Sequence, residues 1–238
     1  FFHLYRLRKI REKKHKIYWQ DSKFKSASYK DWVTKVFLVQ RGIFPENKFI
    51  SEFLLDKNTT NILDVGCGSG ASTACLLLSM IDTYFNNTSL KEKNRKIFIS
   101  GIDLNEDRIN EANTKVPIMF NYYSKYFELK FKKKNILNEF NENKLFDYTF
   151  IMSVLDYLDD NQFKLAIKNL SKVTKKGFYI CDFADNYPMN FIRNIDKFKN
   201  AFRENNFELK KYNYKITNSY PSSLRNQLVL EMFFVRIN

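Results

Sequence analysis

Three glycines at alternate positions, Gly66, Gly68 and Gly70, follow the apolar run Ile62-Leu63-Asp64-Val65 and its single carboxylate. Glycines so spaced make a turn that leaves no side chain between the backbone and a ligand. The apolar run reads as a buried parallel strand, and the segment Ala71-Ser72-Thr73-Ala74-Cys75-Leu76-Leu77-Leu78 reads as a helix. A strand, a glycine turn and a helix N-terminus in that order form a site for a nucleoside-type ligand. The plainer alternative is a turn that only tightens a strand–helix corner.

The spacing alone admits two ligands. Gly66, Gly68 and Ala71 also satisfy the dinucleotide fingerprint, which allows alanine at its third position. Asp64 weighs against it, because a pyrophosphate would bring two negative charges toward a carboxylate at the strand end. At ~4 Å and a surface-like dielectric that repulsion is on the order of 4 kcal/mol. S-Adenosylmethionine has no phosphate and carries a sulfonium and an ammonium, so an acidic mouth suits it. A nicotinamide-dependent oxidoreductase remains the alternative that Asp64 disfavours.

On these residues the chain resembles the class I S-adenosylmethionine-dependent methyltransferases. Their first motif is an apolar run, an acidic residue and Gly-x-Gly-x-Gly, and residues 62–70 match it without a gap. The resemblance implies an α/β three-layer sandwich. Its seven-stranded sheet is mostly parallel with an antiparallel C-terminal strand, and helices precede it in the chain. It also implies that Asp64, Gly66, Cys67, Gly68 and Gly70 contact the methyl donor.

The rest of the chain follows the family's order. Residues 96–103 read as a second strand ending in Asp103, and residues 104–112 as the helix after it. A carboxylate has two coplanar oxygens for a ribose diol, the role the resemblance gives Asp103, with Leu104 packing on the adenine. Asp103 is equally suited to capping the helix, unless Asn105 does so. Residues 82–95 read as a helix end and a polar loop. Residues 126–131 alternate as a third strand. The family's acidic residue after it is replaced by Asn135, whose amide oxygen can accept from an adenine amino group or cap a turn. Ile136 beside it joins the same contact.

Residues 145–153 resemble the fourth strand, with Met152 toward the donor, and residues 154–160 resemble the segment beside the transferred methyl group. Asp156 and Tyr157 there are the candidate catalytic residues. Residues 161–174 read as a helix with one apolar face, ended by Lys175-Lys176-Gly177, and residues 177–183 as the fifth strand. A helix over 198–205 and two strands, 207–217 and 227–237, joined by a turn at 219–223, complete the order.

The chain has 238 residues, enough for one α/β domain with a substantial core. Residues 57–238 are expected to form the donor-binding domain. Residues 1–56 are expected to form a basic, aromatic helical segment that lids the site, with Tyr18, Trp19, Tyr29 and Trp32 as candidate acceptor contacts. The net charge is +14. Thirteen Lys/Arg against four Asp/Glu in residues 1–50 supply +9 of it, densest at residues 6–16. Such a run suits RNA or an anionic surface, or simply a solvated face. The chain begins at Phe1 rather than Met, which leaves room for residues before it.

Cys67, Cys75 and Cys181 have no paired or metal-ligand spacing and read as reduced cysteines of a cytoplasmic protein. No metal is expected. No apolar run approaches the ~20 residues that span a bilayer. The segment Met152-Ser153-Val154-Leu155 stands where amino-group methylases of adenine or glutamine carry Asn/Asp-Pro-Pro-Tyr/Phe. The sequence therefore favours methyl transfer to an O or N atom of a small-molecule or glycan acceptor. An RNA methyltransferase using the basic N-terminus and a non-catalytic donor-binding module are the alternatives.

Overall fold

The computed structural model describes residues 28–42, 44–45, 58–86, 96–140, 145–184, 193–216 and 228–237. In chain order its elements are α1 (Tyr29–Gly42), β1 (Asn61–Val65), α2 (Ala71–Asn86), β2 (Ile97–Asp103), α3 (Glu106–Met119), β3 (Phe127–Lys133), β4 (Phe146–Met152), α4 (Asp160–Val173), β5 (Thr174–Phe183), α5 (Ile195–Arg203), β6 (Phe207–Ile216) and β7 (Leu228–Arg236). The strands form one sheet in the order β3-β2-β1-β4-β5-β7-β6. β1 to β5 pair in parallel, and β7 runs antiparallel to both β5 and β6. This is the seven-stranded, mostly parallel architecture that the family resemblance implied.

The sequence explains the layering. β4 is buried along its whole length, and β1 and β5 nearly so, as central strands covered on both faces must be. Ile62, Phe150 and Tyr179 face one way and pack with Trp32, Leu76 and Val116, from α1, α2 and α3. Leu63, Ile151 and Phe178 face the other way and pack with Ile167, Leu170 and Phe202, from α4 and α5. The edge strand β3 carries Glu128, Lys130 and Lys133 outward, charges that discourage pairing with another sheet edge. At the sheet's lower end the Asp147 carboxylate accepts from Thr60 N at 2.7 Å and Asn61 N at 3.0 Å, tying the entry of β1 to β4.

Two local readings need correction. α3 continues to Met119, well past residue 112, and carries Pro117 in its last turn. The helix α4 begins one residue earlier than expected, with Asp159 and Gln162 forming a capping box. It then ends at Val173 and passes directly into β5, so Lys175-Lys176-Gly177 lies within a strand and does not cap a helix. Arg236 of β7 takes over the capping. Its guanidinium donates to Ser171 O at 2.8 Å, Thr174 O at 2.5 Å and Lys175 O at 2.9 Å. Gly177 is glycine because a Cβ there would lie 2.4 Å from the backbone carbonyl of Phe234 on β7. The turn at 219–223 and the loop beyond residue 86 lie outside the described residues, as do Tyr18, Trp19 and the basic run 6–16.

Gly177→Ala is therefore expected to push β7 away from β5 and cost about 1–3 kcal/mol of stability. Urea unfolding measures this, and an unchanged midpoint would show that the contact yields freely.

Candidate active site

The glycine turn hangs on a single acceptor. Gly66 N (2.8 Å) and Cys67 N (3.0 Å) both donate to the carbonyl of Ile102 at the end of β2, and Gly70 N donates to Cys67 O at 2.9 Å. Gly66, Gly68 and Gly70 all have positive φ, at 69°, 54° and 86°. They are not equivalent. A Cβ on Gly66 would stand 2.1 Å from a methyl of Val154, so that glycine is required by the segment after β4. Among the described residues a Cβ on Gly68 would meet only an Arg108 guanidinium nitrogen, at 3.6 Å, so these residues leave the turn open on that side. Open backbone at the carboxyl ends of parallel strands is where α/β sheets bind ligands.

Asp103 closes one flank. Its Oδ2 accepts from Gly68 N at 3.0 Å and its Oδ1 from Asn105 N at 2.8 Å. Each oxygen keeps a further lone pair. Asn105 caps α3 through Arg108 N, so Asp103 is not the cap. Leu104, next in the chain, is apolar yet 62% exposed at this edge.

Asp64 does not sit where the charge argument put it. Its side chain is fully buried beneath the turn, and Oδ2 accepts from Ser72 Oγ at 2.8 Å and Thr73 Oγ1 at 2.5 Å. The carboxyl faces the first turn of α2 and forms no acidic mouth. Burial pushes it up to about 7, against the pull of the two hydroxyls, and the charge of Asp103 adds a smaller push. Oδ1 has no hydrogen-bond partner among the described residues. A buried orphan oxygen and an open Gly68 are the features expected of a cradle for a ligand that brings a cation.

The remaining expected contacts are scattered around this turn. Met152 ends β4 and is buried. Asn135 Oδ1 accepts from Leu137 N at 2.9 Å, closing its own turn, and the carbonyl of buried Ile136 accepts from Asn169 at 3.1 Å. Cys67 is buried, and burial raises the thiols of Cys67, Cys75 and Cys181, so none offers a ready thiolate. On α1, Tyr29 is exposed and stacks on Trp32 at 5.8 Å, whereas Trp32 is fully buried.

Beyond β4 the structure sets Ser153, Asp182 and Arg193, which the sequence reading did not single out, around the candidates Asp156 and Tyr157. Ser153 holds a positive φ of 52° and donates its N–H to Cys181 O at 2.8 Å. A serine does not signal such a conformation, and strain of this kind gathers at functional sites. Asp156, in the short turn Leu155–Tyr157, lies against Asp182 near the end of β5, and both are buried. Burial raises both carboxyls, and the charge of Asp182 lifts Asp156 further. Arg193 lies beside them. It donates to Leu155 O at 2.8 Å and to Leu158 O, and stacks 4.3 Å over Phe163. Asp182 had a visible signal, a carboxylate inside the apolar run Tyr179-Ile180-Cys181-Asp182-Phe183. Tyr157 is half-buried in the same turn as Asp156.

The raised Asp64 carboxyl has a consequence for stability. The folded state keeps its proton between pH 4 and about 7 while the unfolded chain has lost it, so stability falls as pH rises through that window and levels off above it. Asp64→Asn should remove this component. The difference in unfolding free energy between wild type and variant should shift by on the order of 4 kcal/mol from pH 4 to pH 8. A pH-independent difference in parallel denaturant titrations would contradict the burial of this charge.

A family model described as a methyltransferase domain matches residues 56–228. No curated protein matches by sequence. Among solved structures, magnesium protoporphyrin IX methyltransferase (ChlM) from Synechocystis PCC 6803 with bound SAM is similar with a TM-score of 0.63, over 95% of this chain and 97% of that one, at 12% identity. TehB from Haemophilus influenzae is similar with a TM-score of 0.58, over 81% of this chain and 63% of that one, at 15% identity. The methyltransferase domain of bacterial CtHen1-C gives 0.57, over 84% of this chain and 100% of that one, at 14% identity. At these identities the likeness speaks for the fold alone. The family match covers most of the chain and includes the glycine turn, Asp103 and the segment after β4, and on that ground the chain belongs to the class I S-adenosylmethionine-dependent methyltransferase family.

Proposed function

We propose that this chain binds S-adenosylmethionine at the glycine turn and transfers its methyl group to an O or N atom of a small-molecule or glycan acceptor. One observation carries the reading. Among the described residues, Gly68 alone of the turn's three glycines has room for a Cβ, and Asp103, with an unused lone pair on each oxygen, stands beside it.

When bound, the donor supplies an already activated methyl on its sulfonium. The chain's own task is then to hold and align. Asp103 accepts from the ribose hydroxyls, and Leu104 offers an apolar edge for the adenine. Asn135 can accept from the adenine amino group with the lone pair its own turn leaves unused, next to Ile136. Asp64 Oδ1, Gly66, Cys67, Gly70 and Met152 complete the bed. A cation near Asp64 favours its ionised form, so donor binding and loss of the Asp64 proton reinforce each other. Alignment of this kind can supply ~7–11 kcal/mol of a displacement barrier.

The acceptor side is the end of β4 and β5. Burial raises Asp182 to about 7, so near neutral pH it can take the proton that an O–H or N–H acceptor must lose. Asp156 beside it and Tyr157 are the groups available to orient the acceptor. The sequence Met152-Ser153-Val154-Leu155 supports a small-molecule or glycan acceptor over an amino group on adenine or glutamine. One structural relative is, by its name, a porphyrin methyltransferase, which suits that class without naming the compound.

Calorimetry with S-adenosylhomocysteine is expected to show one site, and Asp103→Ala to weaken it roughly 10- to 100-fold. Binding of NAD in place of S-adenosylhomocysteine would overturn the donor assignment. Labelled methyl groups should enter a small-metabolite or glycan fraction of a cell extract; labelled RNA would instead promote the basic N-terminus, and donor binding without transfer would leave a binding module. At saturating donor the rate should rise as pH climbs through about 7 while Asp182 loses its proton. Asp182→Asn should lower the rate and flatten that rise, and an unchanged profile would remove Asp182 from the chemistry.

A further inference from the structure

We infer that Trp32 and Lys35 of α1 are positioning residues for the donor site, acting through Ser69. The inference rests on the donor reading above and assigns part of that site to a helix that lies before the family-matched residues.

Ser69 sits between Gly68 and Gly70 in the turn, and α1 grips it twice. The buried indole of Trp32 donates to Ser69 O at 2.8 Å. The ammonium of Lys35 donates to Ser69 Oγ at 2.9 Å. Burial, and after it the nearby Arg108, lowers the pKa of Lys35, as expected of a cation drawn out of water. The helix is itself fastened. Lys115 of α3 donates to Ser28 O at 3.4 Å, just before α1. Beyond its other end Lys215 of β6 donates to Phe44 O at 2.6 Å, and the Phe44 ring lies 5.6 Å from that of Phe150 on β4.

The turn needs such outside support. Three of its five residues are glycine, the residue with the widest backbone freedom, so from its own sequence the turn specifies its shape weakly. Its inner side is fixed by the Ile102 carbonyl. One flank is tied to Asp103 through Gly68 N; the other side is held at Ser69, and among the described residues the side chains that hold Ser69 belong to α1. Without them the turn populates other shapes, and donor affinity falls by the fraction of time it spends in them. Trp32, expected from the sequence to touch the acceptor, is reassigned to this task.

The test uses the full chain and a double-mutant cycle. Lys35→Met, Ser69→Ala, the double variant and Trp32→Phe are titrated with S-adenosylhomocysteine by calorimetry, and hydrogen exchange is followed across residues 62–70 without ligand. Each single change should weaken binding about tenfold, the cost of one buried polar group left unpaired. The Lys35/Ser69 double variant should bind no worse than either single variant. Amide exchange in the turn should quicken in all four. If α1 only packs, the variants lower the unfolding midpoint while exchange in the turn and the affinity stay as in wild type, and the inference falls. If wild type does not bind S-adenosylhomocysteine, the donor reading fails, and the exchange data still decide whether α1 holds the turn.

Discussion

One backbone carbonyl organises the site. Ile102 O accepts from both Gly66 and Cys67, so the chain leaving β1 must fold across the end of β2 before it can start α2. That crossing brings Gly68 N to Asp103 and joins two strand ends into one surface. It also demands positive φ along the turn, which is why the alternate glycines exist. Gly66 must also admit Val154, so the segment after β4 is drawn onto the same surface. The remaining functional features are arranged around this fixed point.

The second theme is buried acid. Asp64, Asp156 and Asp182 are all raised above the usual carboxylate range, chiefly by burial, and all lie in or near the carboxyl-end half of the sheet. An ionised carboxylate out of water is costly to the folded state. Asp64 lies under the turn, where a cationic donor would restore its charge. Asp156 and Asp182 lie against one another where the short turn after β4 meets the end of β5. Titratable groups perturbed by burial and by one another concentrate at sites that do chemistry.

Much of this was legible in the sequence because it is local. The apolar run and the glycine spacing led to the turn, and the family resemblance they carry implied the sheet. Asn105 was visible as a rival cap, and the structure gives it that role. What escaped is long-range. Lys175-Lys176-Gly177 has the composition of a helix end, but the Phe234 carbonyl across the sheet and Arg236 decide otherwise. Asp64 was placed at a mouth because the residues that enclose it, Ser72 and Thr73, read only as the start of a helix. The meeting of Asp156 with Asp182, and of Trp32 with Ser69, depends on packing between distant segments that no periodicity reports.

The most direct measurement is a crystal structure of the full chain with S-adenosylhomocysteine. The expected result is the adenosine lying over the open side of Gly68, both ribose hydroxyls within hydrogen-bond distance of Asp103, and the amino acid end near Asp64. A turn whose Gly68 face stays closed to the ligand, or one that holds a diphosphate in its place, would contradict the central claim.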